Sequence, residues 1–228
     1  MQGTVLKILA SRDEWLILSD DRQSIHGQFQ IVTDLHYIFT VIILYQTALQ
    51  NKPQLYLIAA MSENHVIGIN NRLPWHLPDE WANFRRVTHG KAFITGSKSY
   101  TAPDALHSTY RNIVLTKHPT EQADSGVEYA TDLDQALSLL REENEVFVLG
   151  GASVFVQTLP LADKLFLTIV HAHIDGDAVF PAISLADWEL VSSNYHGSDD
   201  DHAYSFSMNV YERKGNGSDQ ASDGQPIL

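Results

Sequence analysis

Three short stretches of this 228-residue chain carry residue types that can bind or react. The first is Asp79-Glu80, with Phe84 and Val87 following. Phe84 and Val87 lie four and seven positions after Glu80, so on a helix the three share one face. An inward face of that kind sets a carboxylate among apolar groups. Desolvation raises the pKa of such a group and suits it to hydrogen bonding a cationic or amide-like ring. Glutamates are mostly solvated, and the spacing alone favours a solvated Glu80 at the rim of the first turn. The second stretch is Gly150-Gly151, after the apolar run Val146-Phe147-Val148-Leu149 and before a helical pattern. Paired glycines let a ligand's phosphates approach the backbone at a helix start. A tight strand-to-helix turn needs glycine equally, and the full dinucleotide fingerprint is absent. The third is Gly96-Ser97-Lys98-Ser99, which reads as a phosphate contact or as a routine polar loop.

Other chemistries find less support. The chain has no cysteine, which excludes disulfides, thiolate metal sites and cysteine nucleophiles. His171 and His173 share a strand face, and His196 and His202 flank Asp199-Asp200-Asp201. No third ligand stands at a standard spacing, so all four are read as surface residues and no metal is expected. A nucleophile elbow and a P-loop are missing.

The elements that must position these groups begin at residue 54. Apolar runs at 55–60, 92–95, 112–116 and 146–149 read as buried strands. Residues 79–88, 132–141 and 152–159 read as helices, the first with acids in its opening turn and arginines later. Asn70-Asn71 marks a turn, and the prolines in Leu73-Pro74-Trp75-His76-Leu77-Pro78 impose an ordered loop. Strands at 164–172, 188–195 and 203–212 close the regular part. This alternation predicts an α/β fold: a mixed, mainly parallel sheet with helices on both faces and an antiparallel edge. Residues 1–53 form an N-terminal extension of unknown role. Its apolar run at 35–45 is too short to span a membrane, and a strand, a helix, an interfacial segment or an upstream start all stay open. Residues 54–214 form one domain, and 215–228 read as a disordered tail.

With 15 basic against 28 acidic side chains the net charge is −13, which argues against nucleic acid as a partner. The distribution is uneven. Residues 72–117 hold seven basic groups (Arg72, Arg85, Arg86, Lys91, Lys98, Arg111, Lys117) against Asp79, Glu80 and Asp104. A locally basic window in an acidic chain suits a small anionic ligand.

Taken in order, Ile58-Ala59-Ala60, Val66-Ile67-Gly68, Leu73-Pro74-Trp75-His76-Leu77-Pro78-Asp79-Glu80, Phe84 and Thr88 resemble dihydrofolate reductase. So do Asn112-Ile113-Val114-Leu115-Thr116, Val148-Leu149-Gly150-Gly151, Leu167-Thr168, Gly176-Asp177 and Phe180-Pro181. The resemblance covers about residues 54–214 and is most specific at 73–84. It implies an eight-stranded sheet with four main helices. It also implies reduction of 7,8-dihydrofolate to tetrahydrofolate by NADPH, through hydride transfer to C6 and protonation at N5, within one-carbon metabolism. Glu80 then matches the carboxylate that grips the pterin, Thr168 its hydrogen-bonding threonine, and Trp75 the tryptophan that orders a water. Leu73 belongs to the mobile loop over the nicotinamide. Ile58, Ala60, Phe84 and Leu149 match pterin-contacting positions. Cofactor-contacting positions are matched by Ala60, Ile67, Gly68, Gly96, Ser97, Lys98, Ser99, Leu115, Thr116, Lys117, Gly150, Gly151, Ala152, Val154 and Phe155.

Two positions depart from the family. Tyr110 stands where an arginine usually holds the substrate's glutamate carboxylate, with Arg111 one residue on. Arg111 is therefore the expected tail-binding group, through a local shift. Ser97 stands where an arginine usually meets the cofactor's 2′-phosphate, leaving Lys98 and Lys117 to supply charge without its fork geometry. The departures keep two alternatives open: a catalytically weak folate- or nucleotide-binding homologue, and the riboflavin-pathway reductase of the same fold. The expected protein is a cytoplasmic monomer that binds dihydrofolate, without stable membrane insertion.

Overall fold

The computed structural model describes residues 53–119 and 126–214, with three short strands in the N-terminal stretch. The apolar run at 35–45 and the tail from 215 lie outside the described residues. The chain divides between Lys52 and Pro53 into two units. In the first, β1 (Lys7–Ala10), β2 (Glu14–Leu18) and β3 (Ser24–Gln28) form an antiparallel sheet in that order.

The second unit begins with β4 (Gln54–Ser62), β5 (Val66–Gly68) and α1 (Pro78–Val87). Then come β6 (Ala92–Gly96), the single-turn α2 (Ser97–Tyr100), β7 (Arg111–Leu115), β8 (Val127–Ala130) and α3 (Leu133–Leu139). The chain continues through β9 (Glu145–Gly150), α4 (Ala152–Thr158), β10 (Lys164–Val170) and β11 (Ala178–Val179). It closes with β12 (Trp188–His196) and β13 (Phe206–Arg213). Eight strands make one sheet in the order β12-β13-β10-β4-β9-β6-β7-β8. Pairing is parallel from β10 to β8, and β13 runs antiparallel to both neighbours. The expected mainly parallel sheet with an antiparallel edge is the sheet found. β5 and β11 pair apart from it.

Alternation along the strands splits the core into two layers. Leu55, Leu57, Ile94, Val146 and Val148 face Ala136, Val154 and Phe155 of α3 and α4. Tyr56, Ile58, Phe93 and Phe147 face Phe84 and Val87 of α1 on the other side. Continuous apolar runs were readable as strands because both faces are covered. β4, β6, β7 and β9 all run toward the same edge, so Ala60, Gly96, Leu115 and Gly150 stand at neighbouring carboxyl ends. Open parallel sheets bind ligands at that edge.

Candidate active site

A cavity of about 1310 Å³ opens at this edge. β4 contributes Ile58 and Ala60, β5 contributes Ile67 and Gly68, and α1 contributes Glu80, Trp81 and Phe84. Gly96, Ser97, Lys98 and Ser99 line it from the β6–α2 junction, and Leu115, Thr116 and Lys117 from the end of β7. Leu149, Gly151, Ala152, Val154 and Phe155 complete it from the β9–α4 junction. Leu73 lines it from the loop before α1. That loop turns at Asn70 and Asn71, with φ of +51° and +58°, a conformation asparagine tolerates. It is tied down where the Leu73 N–H donates to Asp104 Oδ2 at 2.7 Å.

Among the described residues four acids line the cavity, and three are committed to backbone groups. Asp104 accepts from Leu73, Asp132 caps α3 by accepting from Gln135, and Asp177 accepts from Asn70. Glu80 is different. It is 6% exposed, and the partner bonded to its carboxylate among the described residues is the Thr168 hydroxyl at 3.3 Å. Burial lifts its carboxyl to about 7, against a smaller lowering by the Thr168 hydroxyl. The helical face was readable in the sequence, but the solvated position it favoured is not the one found. Phe84 and Val87 of that face pack with Tyr56, Ile58, Phe93 and Phe147, and Glu80, one turn earlier, meets Thr168 of β10 and lines the cavity. A second cavity of about 250 Å³ reaches Glu80 from behind, past Thr168 and Asn209.

Trp75 and Thr168 stand behind the wall of the larger cavity. Trp75 is buried with Ala60, Leu77, Val170 and Phe206, and its indole N–H has no partner among the described residues. The Trp81 indole N–H is likewise unpartnered. Gly150 is buried at the end of β9 with φ of +93°, where a Cβ would lie 2.4 Å from the Phe155 ring. The sequence reading missed Arg72, Trp81 and Asp104 as lining residues. Trp81 precedes the Phe84 that signalled the inward face by three positions, which was signal enough.

Two expectations need correction. Arg111 does not reach the cavity. Its guanidinium bonds both oxygens of Glu128 at 2.6 and 3.1 Å and Glu143 at 3.4 Å. Tyr110 is 53% exposed and also bonds Glu143. The shift of one residue turns Arg111 toward acids that are remote in sequence. His202 is not a surface residue either: it is 4% exposed and packs at the start of α1.

A family model described as dihydrofolate reductase matches residues 54–213. The chain belongs to the dihydrofolate reductase family. It is 37% identical to dihydrofolate reductase type 3 of Salmonella typhimurium over 148 residues, covering 65% of this chain and 91% of that one. It is 34% identical to dihydrofolate reductase of Bacillus subtilis (strain 168) over 157 residues, covering 69% and 93%. Among solved structures, dihydrofolate reductase from Enterococcus faecalis complexed with NADP(H) and RAB-propyl superposes with a TM-score of 0.63 at 29% identity. That match covers 72% of this chain and 98% of the other. The chain is an NADPH-dependent oxidoreductase that forms tetrahydrofolate from dihydrofolate.

The residues present fit the cofactor. A Cβ on Gly151 would stand 2.8 Å from Ser99 Oγ, and one on Gly96 would stand 3.2 Å from Val154 Cγ2. Glycine at both keeps the passage between the β6–α2 and β9–α4 junctions open. Lys98, Lys117 and Arg72 line the cavity and make no ion pair among the described residues, whereas Lys91 and Arg111 of the same basic window are paired. No helix among the described residues is long and apolar enough to cross a membrane.

Proposed function

We propose that Glu80 is the group through which this cavity holds and activates dihydrofolate. The observation that carries the reading is that Glu80, alone of the four acids that line the cavity among the described residues, is buried and bound to no backbone N–H of those residues. A carboxylate so placed accepts from a pterin's ring N–H and 2-amino group, and the Thr168 hydroxyl fixes its orientation. Its negative charge, in a water-poor site, stabilises positive charge developing on the ring more than water does. NADPH, when bound, supplies the hydride. Gly96, Ser97, Ser99, Thr116, Gly151 and Ala152 hold its phosphate-bearing part, with Lys98 and Lys117 giving charge. Ile58, Ala60, Phe84 and Leu149 shape the ring pocket. Leu73, anchored through Asp104, covers it and excludes water. The unpartnered Trp75 N–H is a donor for a water beside the ring.

Calorimetric titration with folate, a 2-amino-4-oxo-pteridine, tests the reading. Glu80→Gln is expected to bind it about tenfold or more weakly while NADPH affinity stays unchanged. Equal affinity in the two proteins overturns the role of Glu80.

The finer reading is a cytoplasmic monomer in which residues 54–214 carry the whole site. Among the described residues every cavity-lining element comes from that stretch of one chain, and a cysteine-free chain suits a reducing compartment. Light scattering that gives the mass of one 25.5 kDa chain supports the monomer. A doubled mass contradicts it.

A further inference from the structure

At the entrance of α1, ligand-type atoms of Asp79, His196 and His202 lie within 4.8 Å of one another. A cation there would need a lone pair from His202, and both of its ring nitrogens are engaged. Nδ1 bonds Asp199 Oδ1 at 2.7 Å, and Nε2 bonds the backbone N–H of Asp79 at 3.2 Å. A backbone N–H can only donate, so Nε2 accepts and the ring proton sits on Nδ1. Asp199 is fixed for this task, because the same Oδ1 accepts the backbone N–H groups of Asp201 and His202. His202 is buried against the ring of His196, which stacks on Phe206 at 4.8 Å. His196 Nε2 in turn meets Asp79 Oδ2 at 3.1 Å.

α1 has no local cap of its own. Leu77 at the N-cap makes no side-chain cap bond, and Pro78 has no N–H to satisfy. The Asp79 N–H is therefore the first helix donor in need of a partner. Glu80 is the next residue. We propose that His202 is a positioning residue for dihydrofolate reduction: its neutral, Asp199-oriented imidazole caps α1 from 123 positions away and holds Glu80 in register with Thr168. This rests on the reading of Glu80 given above. His202 lines neither cavity, so its effect passes through the helix.

Two measurements on the full chain test the proposal. In histidine-labelled protein, nitrogen-15 NMR should show His202 as the neutral Nδ1–H tautomer at neutral pH. An Nε2–H tautomer or an imidazolium overturns the cap. In kinetics, His202→Gln keeps an acceptor near Nε2, while His202→Phe keeps a ring without one. His202→Phe should lower kcat/KM for dihydrofolate about tenfold or more and displace the pH–rate limb that Glu80 sets, with His202→Gln close to wild type. A wild-type profile in His202→Phe, or equal losses in both variants, overturns it. If His202→Phe does not fold, the tautomer and the His202→Gln rate decide. A fully active Glu80→Gln enzyme would refute the reading of Glu80 instead, and the His202 tautomer then decides the cap by itself.

Discussion

Burial lifts the Glu80 carboxyl from 4.5 to about 7, so the folded chain keeps a proton there that the unfolded chain releases. Between those values the folded state binds more protons, and stability falls as pH rises. Below 4.5 both states are protonated and the penalty vanishes; above about 7 it is complete, on the order of 3 kcal/mol. Glu80→Gln, neutral at every pH, should therefore melt above wild type near pH 8, and the gap should close toward pH 5. Thermal melts at the two pH values check this, and a gap independent of pH contradicts it. Arg111 yields an opposite expectation from the one its sequence position suggested. Held by Glu128 and Glu143, it is a structural ion pair, partly exposed. Arg111→Ala should cost about 0.5–1 kcal/mol of stability and leave KM for dihydrofolate unchanged. A raised KM for dihydrofolate, but not for a dihydropterin without the glutamate tail, would restore the tail-binding role. The motif around Glu80 was legible because it is local. The partners of Arg111 and His202 were not, since Glu128, Glu143 and Asp79 reach them only through the fold.

The β9–α4 junction separates two uses of glycine. Gly150 has φ of +93°, and a Cβ added there would lie 2.4 Å from the Phe155 ring, so Gly150→Ala should destabilise the protein by more than about 1 kcal/mol. At Gly151 the added Cβ meets only the end of the Ser99 side chain. Gly151→Ala should fold, yet gain less thermal stabilisation from added NADPH than wild type does. Melts of both variants with and without NADPH check the pair, and an unchanged NADPH shift in Gly151→Ala contradicts its place in the passage. Long apolar runs made β4, β6, β7 and β9 readable, because a strand buried on both faces needs no partner pattern to declare itself. β5, β8 and β11 have three, four and two residues and are defined by what they pair with, so no local pattern announced them. The single turn of α2 is too short to show a helical period, and its sequence reads as polar loop for the same reason.

The charge pattern acquires a physical meaning at the scale of the whole chain. Of the seven basic residues in 72–117, Arg72, Lys98 and Lys117 line the cavity, while Lys91 and Arg111 brace strands against Glu145, Glu128 and Glu143. The net charge of −13 therefore says little about the ligand, because the local field of the cavity carries these three cations. The sheet that frames the cavity lies between Gln54 and Arg213. A chain starting at residue 54 should accordingly keep kcat/KM within about threefold of the full length, and a loss beyond tenfold would give residues 1–53 a part in the site. The most direct test of the account is dihydrofolate-dependent oxidation of NADPH by wild type and by Glu80→Gln at neutral pH. The account predicts a fall in kcat/KM of about 100-fold or more with the fold and NADPH affinity retained; equal rates in the two enzymes would contradict it.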